Sequence, residues 1–264
     1  MRIAIVGDSH AGRIKRTFDR TVRRSPGWSI SWFINRSMGS HALRLVGRDE
    51  AEIRLDDFLL VEDTVFCSED HDLVICVGMG ADIRRAMILA KQFSHPGIGA
   101  TSPRHLTSET WESALSDVLK TTPAMQLISI LRKVNPELPI VYSPPVRPMS
   151  WINARPGHIK DWSTNILHNG HPKSLSRVWS SAVHQICEEF GVLFVDQPDD
   201  TITDHCWSLP KFGYAKHNDP QDKFWANGDY FHANDLYAMK YIDLLRRLPV
   251  LDELPPTYAW PEYL

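Results

Sequence analysis

A hydroxyl, an imidazole and a carboxylate of the kinds that transfer acyl groups stand at opposite ends of this 264-residue chain. Near the start, Gly7-Asp8-Ser9-His10-Ala11-Gly12 follows the apolar run Ile3-Ala4-Ile5-Val6 and leads into a segment of helical periodicity. A serine at a strand-to-helix turn is exposed, and the N–H groups of the helix's first turn can face a developing oxyanion, so Ser9 is a candidate nucleophile. The same position suits a plain helix N-cap, which is the other reading of Ser9. Near the end, Asp229-Tyr230-Phe231-His232 sets a carboxylate three residues before an imidazole, and of the 12 histidines His232 alone has that spacing. Within one turn the two can project the same way, Asp229 fixing the tautomer of a His232 that serves as general base. A histidine that only bonds Asp229 at a helix start is the alternative.

Two phosphate-binding readings of the first glycines fail on their neighbours. A phosphate loop needs Lys-Ser or Lys-Thr after its last glycine, and Arg13-Ile14 stands there. A dinucleotide fingerprint needs a glycine where Ser9 stands, so a pyrophosphate could not approach closely. His168-Asn169-Gly170-His171 and the group Asp199, Asp200, Asp204, His205 and Cys206 carry metal-ligating atoms but repeat no ligand spacing, and no metal is expected. Arg84, Arg85, Arg104 and Arg147 could hold an anionic part of a substrate or simply be solvated. Trp151, Trp162, Trp207 and Trp225 could stack on sugar faces or pack on the core.

The positioning elements follow from periodicity. Ile3 to Val6, Trp28 to Ile34, Leu73 to Val77, Pro139 to Ser143 and Val192 to Val195 read as strands. His10 to Arg24, Ser108 to Val134, Lys173 to Phe190 and Leu236 to Leu248 read as helices, the arginines of the first forming a solvated face. Their alternation predicts an α/β domain with a mostly parallel sheet covered on both faces. Met79 to Leu106, Val146 to Pro172 and Gln197 to Asp229 read as long loops, where ligands of open α/β sheets gather. Arg44 to Leu55 could add a hairpin turning at Gly47 to Glu50.

Ser9 after the first strand and Asp229-x-x-His232 before the last helix together resemble the SGNH hydrolases, the GDSL esterases and lipases. That resemblance implies a flavodoxin-like three-layer α/β/α fold and a Ser9, His232 and Asp229 triad. It also implies an oxyanion hole made of the Ser9 N–H, a glycine N–H after the second strand and an asparagine after the third. Gly39 matches the glycine. In Gly78-Met79-Gly80, Gly80 stands where the asparagine should be, so only its backbone N–H is left to help. Losing such a side-chain donor typically costs about 10²–10³ in rate. Gly-Asp-Ser-His-Ala is also similar to SGNH domains acting on acyl groups of bacterial polysaccharides, and Pro144-Pro145-Val146-Arg147-Pro148 looks like the family's proline-rich loop.

Composition bounds the remainder. At 43% hydrophobic and 23% charged residues the chain is an ordinary globular one, read as a single domain over 1–264 with a Pro- and aromatic-rich tail at 249–264. The tail is suited to strap across its own domain or a second subunit of a homo-oligomer. A net charge of −3 argues against a nucleic-acid partner. With no run of about 18 apolar residues, no membrane span is expected and the cytoplasm is the default location. Cys76 and Cys187, in apolar segments, read as reduced core thiols. The expectation is a cofactor-free serine esterase acting on a small-molecule or saccharide ester, O-acetyl groups included. The alternatives are a binding domain on the same fold, motivated by Gly80, and a nucleotide-handling α/β protein.

Overall fold

The computed structural model describes residues 1–21, 29–35, 43–46, 50–53, 58–61, 65–154, 161–213 and 231–251. Strands β1 (Arg2–Gly7), β2 (Ser29–Asn35), β7 (Leu73–Val77), β8 (Ile140–Ser143) and β9 (Leu193–Phe194) pair in parallel in the order β2-β1-β7-β8-β9. Counting parallel strands alone, that order is 2-1-3-4-5, the flavodoxin-like arrangement. Strand β5 (Phe58–Val61) extends the sheet beside β2 in the antiparallel sense. Strands β3 (Leu43–Val46), β4 (Glu50–Ile53) and β6 (Val65–Cys67) form a small antiparallel sheet of their own. The expected hairpin at 44–55 is thus present as β3 and β4, while its turn lies outside the described residues.

The central strands are apolar throughout because both faces are covered. With side chains alternating across the sheet, Ala4, Val6, Val74, Cys76 and Tyr142 join the core on one side. Ile3, Ile5, Ile75, Val77 and Val141 join the core on the other. The first side is closed by α2 (Ile83–Gln92), α3 (Ser108–Lys120), α4 (Pro123–Val134), α5 (Asp161–Asn169) and α6 (Pro172–Glu189). The second is closed by α1 (Ser9–Thr21) and α7 (Asp235–Leu245), which lie against each other.

Several sequence expectations are corrected. The stretch 108–134 is two helices rather than one, because Pro123 cannot donate to the preceding turn and instead opens α4 at its first position. The segment 79–106 is not all loop: Asp82 caps α2 by accepting from the Arg84 N–H at 2.9 Å, and Ile83, Ala86, Met87 and Ala90 bury its inner face. Likewise 146–172 contains α5, and 197–213 contains the ribbon of β10 (Ile202–Thr203) and β11 (Trp207–Ser208). Arg13 is not on a solvated face: it and Arg20 pair with Asp235 at 3.1 and 3.3 Å.

Arg147 is a core residue, 4% exposed, rather than a free cation. Its guanidinium donates to Asp196 at 2.7 Å, to Ser176 and to the His205 carbonyl, and lies over the Trp179 ring. It thereby ties the segment after β8 to α6 and to the segments after β9 and β10. Trp207 is buried with its N–H on Ser163, so it packs rather than stacking on sugars, whereas Trp225 and the tail beyond 251 lie outside the described residues. Arg147→Met leaves the partly buried Asp196 carboxylate without its cation, a loss of roughly 2–3 kcal/mol. The expected thermal midpoint falls by about 5–10 °C, and Asp196→Asn in the same chain recovers part of it by calorimetry.

Candidate active site

Ser9 sits at the first position of α1, at the carboxyl end of β1, and His232 lies three residues before the start of α7. Because α1 and α7 are neighbours in one layer with both N-termini at the same edge of the sheet, the two residues meet. The Ser9 Oγ is 2.7 Å from His232 Nε2 although 223 positions separate them. With the imidazole proton on Nδ1, the hydroxyl donates to Nε2, the arrangement a general base requires. The segment carrying His232 is fixed by Asn234, whose N–H donates to the Phe212 carbonyl at 2.7 Å and whose Nδ2 donates to that of Lys211. The Asn234 Oδ1 in turn caps α7 through the Tyr237 N–H. Arg13, one turn after Ser9, and Asp235, three residues after His232, join the two helices close to the contact.

Asp8 braces the turn that carries Ser9. Its carboxylate accepts from the His10 N–H at 3.0 Å and from the Met79 N–H at 2.7 Å, binding the turn after β1 to the turn after β7. Gly78 is required at this contact: its φ is +81°, and a Cβ there would lie 2.2 Å from the Asp8 Oδ1. Met79 and Gly80 follow with φ of 62° and 86°, so three successive residues hold the left-handed region directly beside the nucleophile's loop. For methionine that conformation is strained, and such strain gathers at functional loops. A Cβ built on Gly80 would face Arg85, Pro123 and Thr122 at 3.6–4.0 Å. Among the described residues neither the Ser9 nor the Gly80 N–H donates to a protein acceptor. Gly39 and Asp229 lie outside the described residues.

Charges around the site are matched. The Asp82 carboxylate, 2% exposed, takes two hydrogen bonds from Arg84 at 2.7 and 2.6 Å, and Arg84 also covers the Phe231 ring at 4.5 Å. Arg84 is therefore engaged within the protein, while Arg85 is exposed and donates to the Gly80 carbonyl. His10 stacks on His232, ring centres 5.1 Å apart and planes 27° from parallel, a contact that sequence spacing gave no sign of. Loss of water around His10 lowers its pKa most; Asp8 and Asp82 pull it up, His232 and Arg84 push it down, and it ends below the usual histidine value. Burial pushes Cys76, Cys187 and Cys206 each up to about 12, so these three thiols are poor nucleophiles. Among the described residues no three His, Cys, Asp or Glu side chains gather as metal ligands would, and no helix is long and apolar enough to cross a membrane.

No protein-family model matches the chain, and no curated protein matches it. Among solved structures, a protein from Bacteroides fragilis provisionally described as an acylhydrolase is 14% identical with a TM-score of 0.41, over 96% of this chain and 86% of that one. A protein from Chitinophaga pinensis provisionally described as a lipase is 11% identical with a TM-score of 0.37, over 96% and 99%.

The lowered pKa of His10 has a consequence for stability. Unfolding restores a value of about 6.5, so the unfolded chain binds the proton first as pH falls. Stability is fully present above that pH and is lost as pH falls through the lower folded-state value. Thermal midpoints measured from pH 7.5 to 5 should therefore drop more steeply for the wild type than for His10→Phe.

Proposed function

We propose that this protein is a serine ester hydrolase of the SGNH type. The observation that carries the reading is the 2.7 Å contact between the Ser9 hydroxyl and His232 Nε2. In acylation the Ser9 Oγ attacks the ester carbonyl carbon while its proton passes to His232 Nε2. His232 then gives that proton to the departing alcohol oxygen as the C–O bond breaks. Water, activated by the same imidazole, releases the acid and regenerates the hydroxyl. Asp229 is the proposed orienter of His232, holding its proton on Nδ1 and stabilising the imidazolium.

The proposed oxyanion hole comprises the Ser9 N–H at the N-terminus of α1, the Gly39 N–H and the Gly80 N–H. Helix-end N–H groups and the macrodipole favour negative charge at Ser9. The left-handed turn at Gly80 substitutes a backbone donor for the asparagine side chain that the resemblance calls for. The substrate class is an acyl ester, with O-acetyl groups on a saccharide as the finer proposal, drawn from the Gly-Asp-Ser-His-Ala turn. No cofactor enters these steps.

A fluorophosphonate probe tests the reading. Wild type should label stoichiometrically, Ser9→Ala not at all, His232→Gln at least ~10³-fold more slowly and Asp229→Asn ~10²–10⁴-fold more slowly. Absence of wild-type labelling from pH 6 to 9 would instead favour a ligand-binding domain on the same fold. Hydrolysis of acetylated sugars against short aryl esters, followed by acid release, sets the acyl and alcohol preference.

A further inference from the structure

The residue after the nucleophile does not point into solvent but lies flat on the base. The first turn of α1 fixes His10, whose N–H is held by Asp8, and its ring rests on that of His232 at 5.1 Å. We propose that His10 and His232 form a stacked imidazole pair that carries a single proton, with His10 the neutral positioning residue against which His232 turns into the imidazolium. Two imidazolium rings at this separation repel each other, and the pair's surroundings decide which ring stays neutral.

Every element packed around His10 bears on that choice. Asp8 precedes it, Asp82 and Arg84 face it from the N-terminal end of α2, and His232 faces it from the segment before α7. Arg13 of α1 and Tyr237 and Tyr241 of α7 line, with both histidines, a cavity of about 20 Å³ between the two helices and the ends of β7 and β8. Arg84 is bound to Asp82, so these two charges largely cancel at His10. Asp8 already accepts two backbone N–H groups. Loss of water then dominates, and the direction it sets for His10 is toward neutrality. A neutral aromatic face beside the developing imidazolium stabilises it and confines the ring to the orientation with Nε2 on Ser9. A charged His10 would oppose the same step.

The effect on rate rests on the serine-hydrolase reading, whereas the shared proton rests on the stacking alone, so two measurements separate their failures. In the full-length chain carrying ring-labelled histidine, with the His10 signals assigned from the His10→Phe spectrum, His10 is titrated by NMR. His232→Gln should raise the proton affinity of His10 roughly tenfold, since it removes the neighbouring imidazole whose electrostatic effect pushes that affinity down. In parallel, His10→Leu, which keeps bulk without an aromatic face, should slow fluorophosphonate labelling several-fold, and His10→Phe should recover most of that loss. An unchanged His10 titration in His232→Gln overturns the proposal, as do equal labelling rates for the Leu and Phe variants at unaltered thermal midpoints. If wild type fails to label while the His10 titration responds, the hydrolase reading falls and the imidazole pair stands.

Discussion

The site depends on one adjacency, that of α1 and α7 on the same face of the sheet. Neither helix makes the contact alone: α1 begins with Ser9, and α7 is preceded by His232. Packed side by side with their N-termini at the same edge, they leave the hydroxyl and the imidazole within hydrogen-bond distance. Apolar contacts hold the helices to the sheet through Ala11 and Ile14 from one and Ala238, Tyr241 and Ile242 from the other. Such contacts are non-directional and could tolerate sliding. The ionic tie of Asp235 to Arg13 and Arg20 is directional, and with the Thr17 hydroxyl at 3.2 Å from the same carboxylate it sets the register between them.

A second constraint fixes Ser9 against the sheet's centre. The parallel strands reverse their winding between β1 and β7, the point where crevices open in folds of this kind. Asp8 spans that point from the end of β1 to the backbone beyond β7. Its contact consumes the room that any side chain at Gly78 would need, and the chain answers with a left-handed path through Gly78, Met79 and Gly80. The left-handed turn beside the nucleophile is thus coupled to the brace behind it.

Much of this was legible before any coordinates. The uninterrupted apolar runs at 3–6 and 73–77 could only be strands covered on both faces, and the turn placed directly after the first marked Ser9. The alternation of elements led to a parallel sheet, and the pairing of residue types picked out His232. What escaped were features whose signal is not local. Helix α2 was hidden by the glycines before it, although Asp82 followed by apolar residues at 83, 86, 87 and 90 is a cap and a helical face in plain view. The break between α3 and α4 was equally written in Thr122-Pro123. The His10 and His232 stack, the Arg147 and Asp196 pair and the Arg13 and Asp235 tie were not written anywhere, since each joins residues 49 or more positions apart. Spacing has no memory over such distances.

The separation of Ser9 and His232 along the chain has a bearing on biosynthesis. A ribosome makes the hydroxyl-bearing turn 223 positions before the imidazole. Until the segment before α7 has been made, the growing polypeptide carries Ser9 without His232 beside it, so the proton transfer proposed above has no acceptor. On that reading, competence waits until α7 docks against α1.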